Sequence, residues 1–212
     1  ILLEAAKVDS FWGVRKEAYS AYGKLKPKIN PTDLYWLENE NDNRVKRAII
    51  GILKHSVGNP TVSEFLQNII RTDTSYYAVA DAFKVLTTID SISAKKHVNN
   101  LLNTESHNDV IRKAALSYFG NVKNRYNYNR LKELSEYGVF SWKSRPTVIS
   151  ELGKYQKFRP KTLDYILPFI HDNDRFVRMA VIRHIGAHGS VDHFGLMDNA
   201  VGLDPVLSIN VL

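Results

Sequence analysis

One spacing recurs through the whole chain. Take Val14, Val45, Ala78, Ile111, Ser144 and Val177 as anchors; they are separated by steps of 31, 33, 33, 33 and 33 residues. Four positions after each anchor stand Ala18, Ile49, Ala82, Ala115, Val148 and Val181. Five after stand Tyr19, Ile50, Phe83, Leu116, Ile149 and Ile182, and eight after stand Tyr22, Leu53, Leu86, Phe119, Leu152 and Ile185. These offsets fall on one side of a helix, so the columns predict six helices, each with one apolar face. A period in this range marks stacked helical hairpins, each burying its stripe against its neighbours.

The clearest copy runs from Asp172 to Gly186. An acidic turn precedes Val177-Arg178, the apolar stripe follows, and Gly186 reads as the helix stop. Gly23, Gly120 and Gly153 take the same place in their copies. The expected fold is therefore all-α: an α-solenoid, or α-α superhelix, of about six stacked hairpins. Residues 1–212 read as a single repeat domain. The chain starts at Ile1 and ends in apolar Leu212, and it reads as a fragment of a longer one.

Turn chemistry places the individual helices. Asp9-Ser10 predicts a cap for Phe11 to Tyr22, and Asp73-Thr74-Ser75 one for Tyr76 to Thr88. Asn30-Pro31 and Asn59-Pro60 predict two more starts, with proline where its missing N–H costs nothing. Arg44 to Lys54, Asp90-Ser91 to Asn103, Asp109 to Phe119 and Tyr126 to Tyr137 are further helices. Phe140 to Leu152 carries Pro146 near its start, and Arg159-Pro160 opens a helix through Ile170 whose Pro168 shortens the last turn. Ser190 caps a final helix ending at Gly202, and Asp204-Pro205 begins another.

Composition narrows the class further. The hydrophobic fraction of 44% suffices for a continuous core. Cys is absent, which excludes disulfides and thiolate metal sites. The sequence has neither a signal-peptide pattern nor a run apolar enough to span a membrane, and the expected compartment is the cytoplasm. A net charge of +7 permits an acidic partner without demanding one.

Period and turns together resemble HEAT repeats, in the short form seen in HEAT-like units of phycobilisome lyases. That family sets an acid six positions before a base, just ahead of the second helix. Here Asp9 precedes Arg15 and Asp172 precedes Arg178, with Glu40 and Lys46 a milder version. Repeat three keeps Asp73 but has Val79, and repeat four keeps Arg112 but has Ser106. Such acids accept turn N–H groups and pair with a stacked base, forming a structural ladder. Spacing leaves open which acid meets which base.

A narrower likeness lies within this one. The segments 9–18 (DSFWGVRKEA) and 73–82 (DTSYYAVADA) resemble the C-terminal helical region of M1-family zinc aminopeptidases. That resemblance implies a region packed over a catalytic cavity, with zinc held elsewhere in the parent enzyme. Zinc in the family needs His-Glu-x-x-His, and none of His55, His97, His107, His171, His184, His188 or His193 is followed by Glu. The chain also lacks the family's Gly-x-Met-x-Asn motif. His184 and His188 straddle the predicted stop at Gly186, so they read as solvated or capping residues sooner than ligands.

No phosphate loop, nucleophile elbow or Cys nucleophile is present either, so this stretch reads as non-catalytic, with no cofactor of its own. Asp81 and Glu151 read as solvated acids, while Tyr76, Tyr77, Tyr126, Tyr128 and Trp142 are expected to pack between helices. What remains is a surface. Positions two and six after the anchors contribute Lys16, Arg47, Lys84, Lys113 and Arg183 and no acid. This is either a solvated face or an inward basic ridge for an acidic partner, a peptide carboxylate or phosphates.

The preferred function is an interaction and capping domain that limits access to an aminopeptidase cavity. Its partner is then the upstream catalytic domain, another protein or a peptide, without membrane or nucleic acid. The alternatives are a HEAT-like DNA glycosylase, with Asp81 beside Tyr77 as its nearest acid, and a generic protein scaffold.

Overall fold

A computed structural model describes residues 2–25, 34 and 38–198. These residues form thirteen α-helices, four short 3-10 turns and no strand. The chain makes two compact units, one through Tyr118 and the other from Phe119.

The first unit holds α1 (Leu2–Val8), α2 (Trp12–Lys24), α3 (Asn43–Ile52), α4 (Pro60–Thr72), α5 (Tyr76–Ile89), α6 (Ser91–Lys95) and α7 (Val98–Asn103). The next helix, α8 (Val110–Asn121), carries the fourth anchor. The second unit holds α9 (Arg125–Ser135), α10 (Arg145–Gly153), α11 (Thr162–Ile166), α12 (Arg175–His188) and α13 (Phe194–Asp198). Within the first unit α1 pairs with α2 and α4 with α5, while α2 packs on α3 and α3 on α5. Within the second, α9 pairs with α10 and α10 packs on α12. Anchor-bearing helices thus pack on one another in repeat order inside each unit.

The apolar columns are the core. Every residue four and five positions after an anchor is buried, from Ala18 and Tyr19 to Val181 and Ile182. Of the column eight positions after, Leu53, Leu86, Phe119, Leu152 and Ile185 are buried as well.

Helix starts follow the caps. Asn59 accepts from the N–H groups of Thr61 and Val62, and Ser75 from that of Ala78. Asp42 and Asp174 cap α3 and α12 through the amides of Arg44 and Phe176. Asp9 serves the turn instead, accepting from Phe11 N–H at 2.8 Å, so α2 begins one residue later than expected.

Several boundaries differ from those the sequence predicts. The run from Ser91 to Asn103 divides at Lys96 and His97, whose N–H groups bond three residues back. The helix expected from Phe140 begins at Arg145, because Pro146 belongs in a first turn and would clash four residues deeper. Pro168 acts as expected, and Leu167–His171 tightens to a 3-10 turn. The Asn30-Pro31 start and the end of the helix predicted to reach Gly202 lie outside the described residues.

The glycine column stops only one helix, α10 at Gly153. Gly23, Gly120 and Gly186 lie one or two residues before their helix ends, and Gly153 is the last residue of α10. A Cβ on Gly153 would sit 2.7 Å from His184 Nδ1, and one on Gly23 2.9 Å from Ile52 Cγ1. On Gly120 it would collide with the Glu151 carboxylate. These glycines let the next anchor-bearing helix approach. At Gly186 a Cβ would meet nothing within 4 Å, and the helix simply continues to His188.

Candidate functional site

The acid–base ladder joins successive repeats. Arg15 offers Nε and Nη2 to the two oxygens of Glu40, both at 3.0 Å and 25 residues on. Lys46 Nζ reaches Asp73 Oδ2 at 2.8 Å, 27 residues on. Arg145 takes Asp172 with both ends of its fork, at 3.0 and 2.7 Å, again 27 residues on. Each acid therefore meets the base of the preceding repeat. Burial pushes the Glu40 carboxyl up, but the Arg15 hydrogen bonds and the Asp42 amide more than offset it, leaving Glu40 below its ordinary value.

The base six positions after the acid does a different job. Arg15 Nη1 donates to the main-chain oxygens of Asp9 and Ser10 at 3.0 and 3.2 Å. Arg178 Nη1 does the same to Asp172 and Asn173 at 2.7 and 3.0 Å. That clasp ties the turn to its own helix. In the fourth repeat Arg112 Nε donates to the Leu102 carbonyl and Nη1 to Asp109, both at 2.8 Å. Residues 79 and 106, a further pair 27 apart, are Val and Ser, so base and acid are lost together.

Arg145 is the rung residue that the six-position spacing overlooks. It stands in the same column as Arg15 and Lys46, but its repeat has Val139 in the acid position. Counting 27 residues forward finds its partner.

A cleft of about 720 Å³ opens beside the Arg145 rung. Its walls are Tyr137, Phe140, Trp142 and Phe176, and its polar lining includes Arg145, Asp172, Asp174, Arg175 and Arg178. Gly138, at φ +86°, turns the chain between α9 and this loop. Trp142 and Phe176 lie 6.3 Å apart between centroids with planes 21° apart. The Arg145 guanidinium sits 5.3 Å from the Tyr137 ring, and that of Arg175 4.8 Å from the Phe176 ring. Tyr137 is 81% exposed and Trp142 58%, so Trp142 does not pack between helices as the sequence reading expected. Tyr76, Tyr77 and Tyr126 are exposed too, and only Tyr128 of that group is buried.

The basic ridge is less uniform than its columns. Arg47 Nε binds Asp81 Oδ2 at 2.6 Å, and its guanidinium lies 4.9 Å from the Tyr77 ring. Lys16 pairs with Glu17 at 2.8 Å. The acids come from the adjacent column, three positions after the anchor. Lys84 is exposed, and Lys113 is half-buried. Arg183 is exposed on the second unit. Ala80 and Met179, in the column read as outward-facing, are 1% and 8% exposed. Glu151, read as solvated, is 7% exposed and ion-paired with Lys154 at 2.6 Å.

Because α12 runs through Gly186, His184 and His188 do share a face, with rings 4.7 Å apart. Burial, and then His188, lower His184 to about 4. Among the described residues no three His, Cys, Asp or Glu side chains converge as metal ligands. No helix of the described residues is long and apolar enough to cross a membrane. No family model matches the sequence, and no curated protein matches it.

Proposed function

We propose that the chain is a non-catalytic α-solenoid of HEAT-like hairpins that works by contacting and enclosing other protein. The preferred setting is the C-terminal region of an M1-type aminopeptidase in the cytoplasm, where it covers the catalytic cavity and limits what enters. Zinc in that setting belongs to the catalytic domain. The observation that carries the reading is the ladder: Arg15–Glu40, Lys46–Asp73 and Arg145–Asp172 join neighbouring repeats at a step of 25 to 27 residues. A series of equivalent hairpins offers long, regular surfaces suited to a protein partner.

The coding sequence ahead of Ile1 tests the setting. A His-Glu-x-x-His helix within a few hundred residues is the expected result, and its absence there removes the capping role while leaving the interaction module. The DNA-glycosylase alternative is disfavoured by one contact: Asp81, its candidate acid, is held by Arg47 at 2.6 Å. A salt titration with duplex DNA separates the classes, since phosphate contacts weaken steeply with salt. Binding no tighter than micromolar at physiological salt is expected, and nanomolar, salt-sensitive affinity overturns the proposal.

A further inference from the structure

We infer that the cleft between Tyr137 and Arg178 is a docking site for an acidic peptide segment of a partner protein, taken as a carboxylate on Arg178 with an adjacent apolar side chain against Trp142 and Phe176. The inference does not depend on the capping role.

The protein supplies its own template. Arg15 and Arg178 hold the same position in their repeats and make the same clasp, Nη1 to two turn carbonyls. At Arg15 the other edge of the guanidinium, Nε and Nη2, is filled by a carboxylate. At Arg178 the enclosed Nε has no partner, and Nη2 makes no bond to the described residues. The group that fills this edge at Arg15, the Glu40 carboxylate, is a planar, two-oxygen anion of the kind the fork selects.

Charge and shape narrow the ligand further. Asp172 is committed to Arg145, and Asp174 Oδ1 to the α12 cap. Lys143, 5.8 Å from the Trp142 ring, and Arg175 add positive charge nearby. Asp174 Oδ2 is buried without a partner and calls for a donor. A peptide brings both a carboxylate and N–H donors, whereas a phosphate brings acceptors alone. The exposed aromatic walls add what a rung does not use. Trp12, in the column of Trp142, is covered by the Arg44 guanidinium at 3.4 Å, while Trp142 is 58% exposed.

The probe is an acetylated, amidated peptide copying residues 167–174 (LPFIHDND), the segment that presents Asp172 to Arg145. Binding to the full chain is read by fluorescence anisotropy, with circular dichroism confirming that each variant is folded. Micromolar binding is expected. It should fall about tenfold or more in Arg178→Gln, in Trp142→Ala, and when the peptide's first Asp becomes Asn. Lys95→Gln, outside the cleft, should leave it unchanged. Absence of wild-type binding, or equal affinity for the Asn peptide, overturns the inference. So does a tenfold gain in Asp204→Asn, which would give the rung to the chain's own acid.

Discussion

Arg145 and Asp172 stand 27 residues apart and meet through two hydrogen bonds, with side chains only 6% and 9% exposed. A pair so enclosed fixes how two repeats register, because either charge alone would be stranded. Arg145→Ala should therefore destabilise the protein by about 3–5 kcal/mol. Arg145→Met combined with Asp172→Leu should recover most of that loss, because the pair's desolvation cost disappears with its attraction. Urea denaturation of the single and double variants reads the difference.

Two glycines of one column should respond with opposite sign. A Cβ on Gly153 falls 2.7 Å from His184 Nδ1, inside a packed contact between α10 and α12. Gly153→Ala should cost about 1–3 kcal/mol as overpacking. Gly186 has nothing within 4 Å of its added Cβ and lies inside a helix. Gly186→Ala should stabilise by about 0.5–1 kcal/mol by lowering the chain's freedom when unfolded. Thermal melts of the two variants should move in opposite directions.

That column shows how far the sequence could be read. The apolar offsets of Val148, Ile149 and Leu152 name a buried face, because helical geometry alone decides which residues share a side. Gly153 at the end of the same stripe reads as a stop and does end α10, but a glycine near a helix end serves equally for close approach. Only the position of His184 on the neighbouring helix shows this second role. The ladder is similar. Asp172 and Arg178 attract attention by adjacency in sequence, yet the Asp172 carboxylate goes to Arg145, across a repeat. The cleft was hidden because aromatic residues read as core by composition, and exposure at Trp142 depends on the nine-residue connection between Ser135 and Arg145 not forming a helix.

His184 should make stability depend on acid. Its ordinary value near 6.5 is lowered to about 4, first by burial and then by His188. Between these values the unfolded chain binds a proton that the folded chain refuses, so stability rises with pH across the window. Stability should be flat in this group's contribution above 6.5 and should fall as pH drops toward 4, by up to about 3 kcal/mol. His184→Gln keeps a polar group facing Gln156 and removes the titration. Denaturation midpoints taken across the window should show a shallower slope in the variant.

The rung lost at Val79 and Ser106 can be rebuilt. Val79 is 5% exposed, so Val79→Arg alone buries a charge with no carboxylate opposite and should destabilise by at least about 2 kcal/mol. Ser106 holds the acid position 27 residues on, and its hydroxyl accepts from the Ile111 amide at 3.0 Å, a bond an Asp can also accept. Adding Ser106→Asp should then return about 1–2 kcal/mol, although Ser106→Asp alone should be close to neutral. The coupling energy from the four-member cycle measures the rung. A value near zero would mean that the 27-residue step does not set the partners, and that each of the three native rungs owes its pairing to local packing.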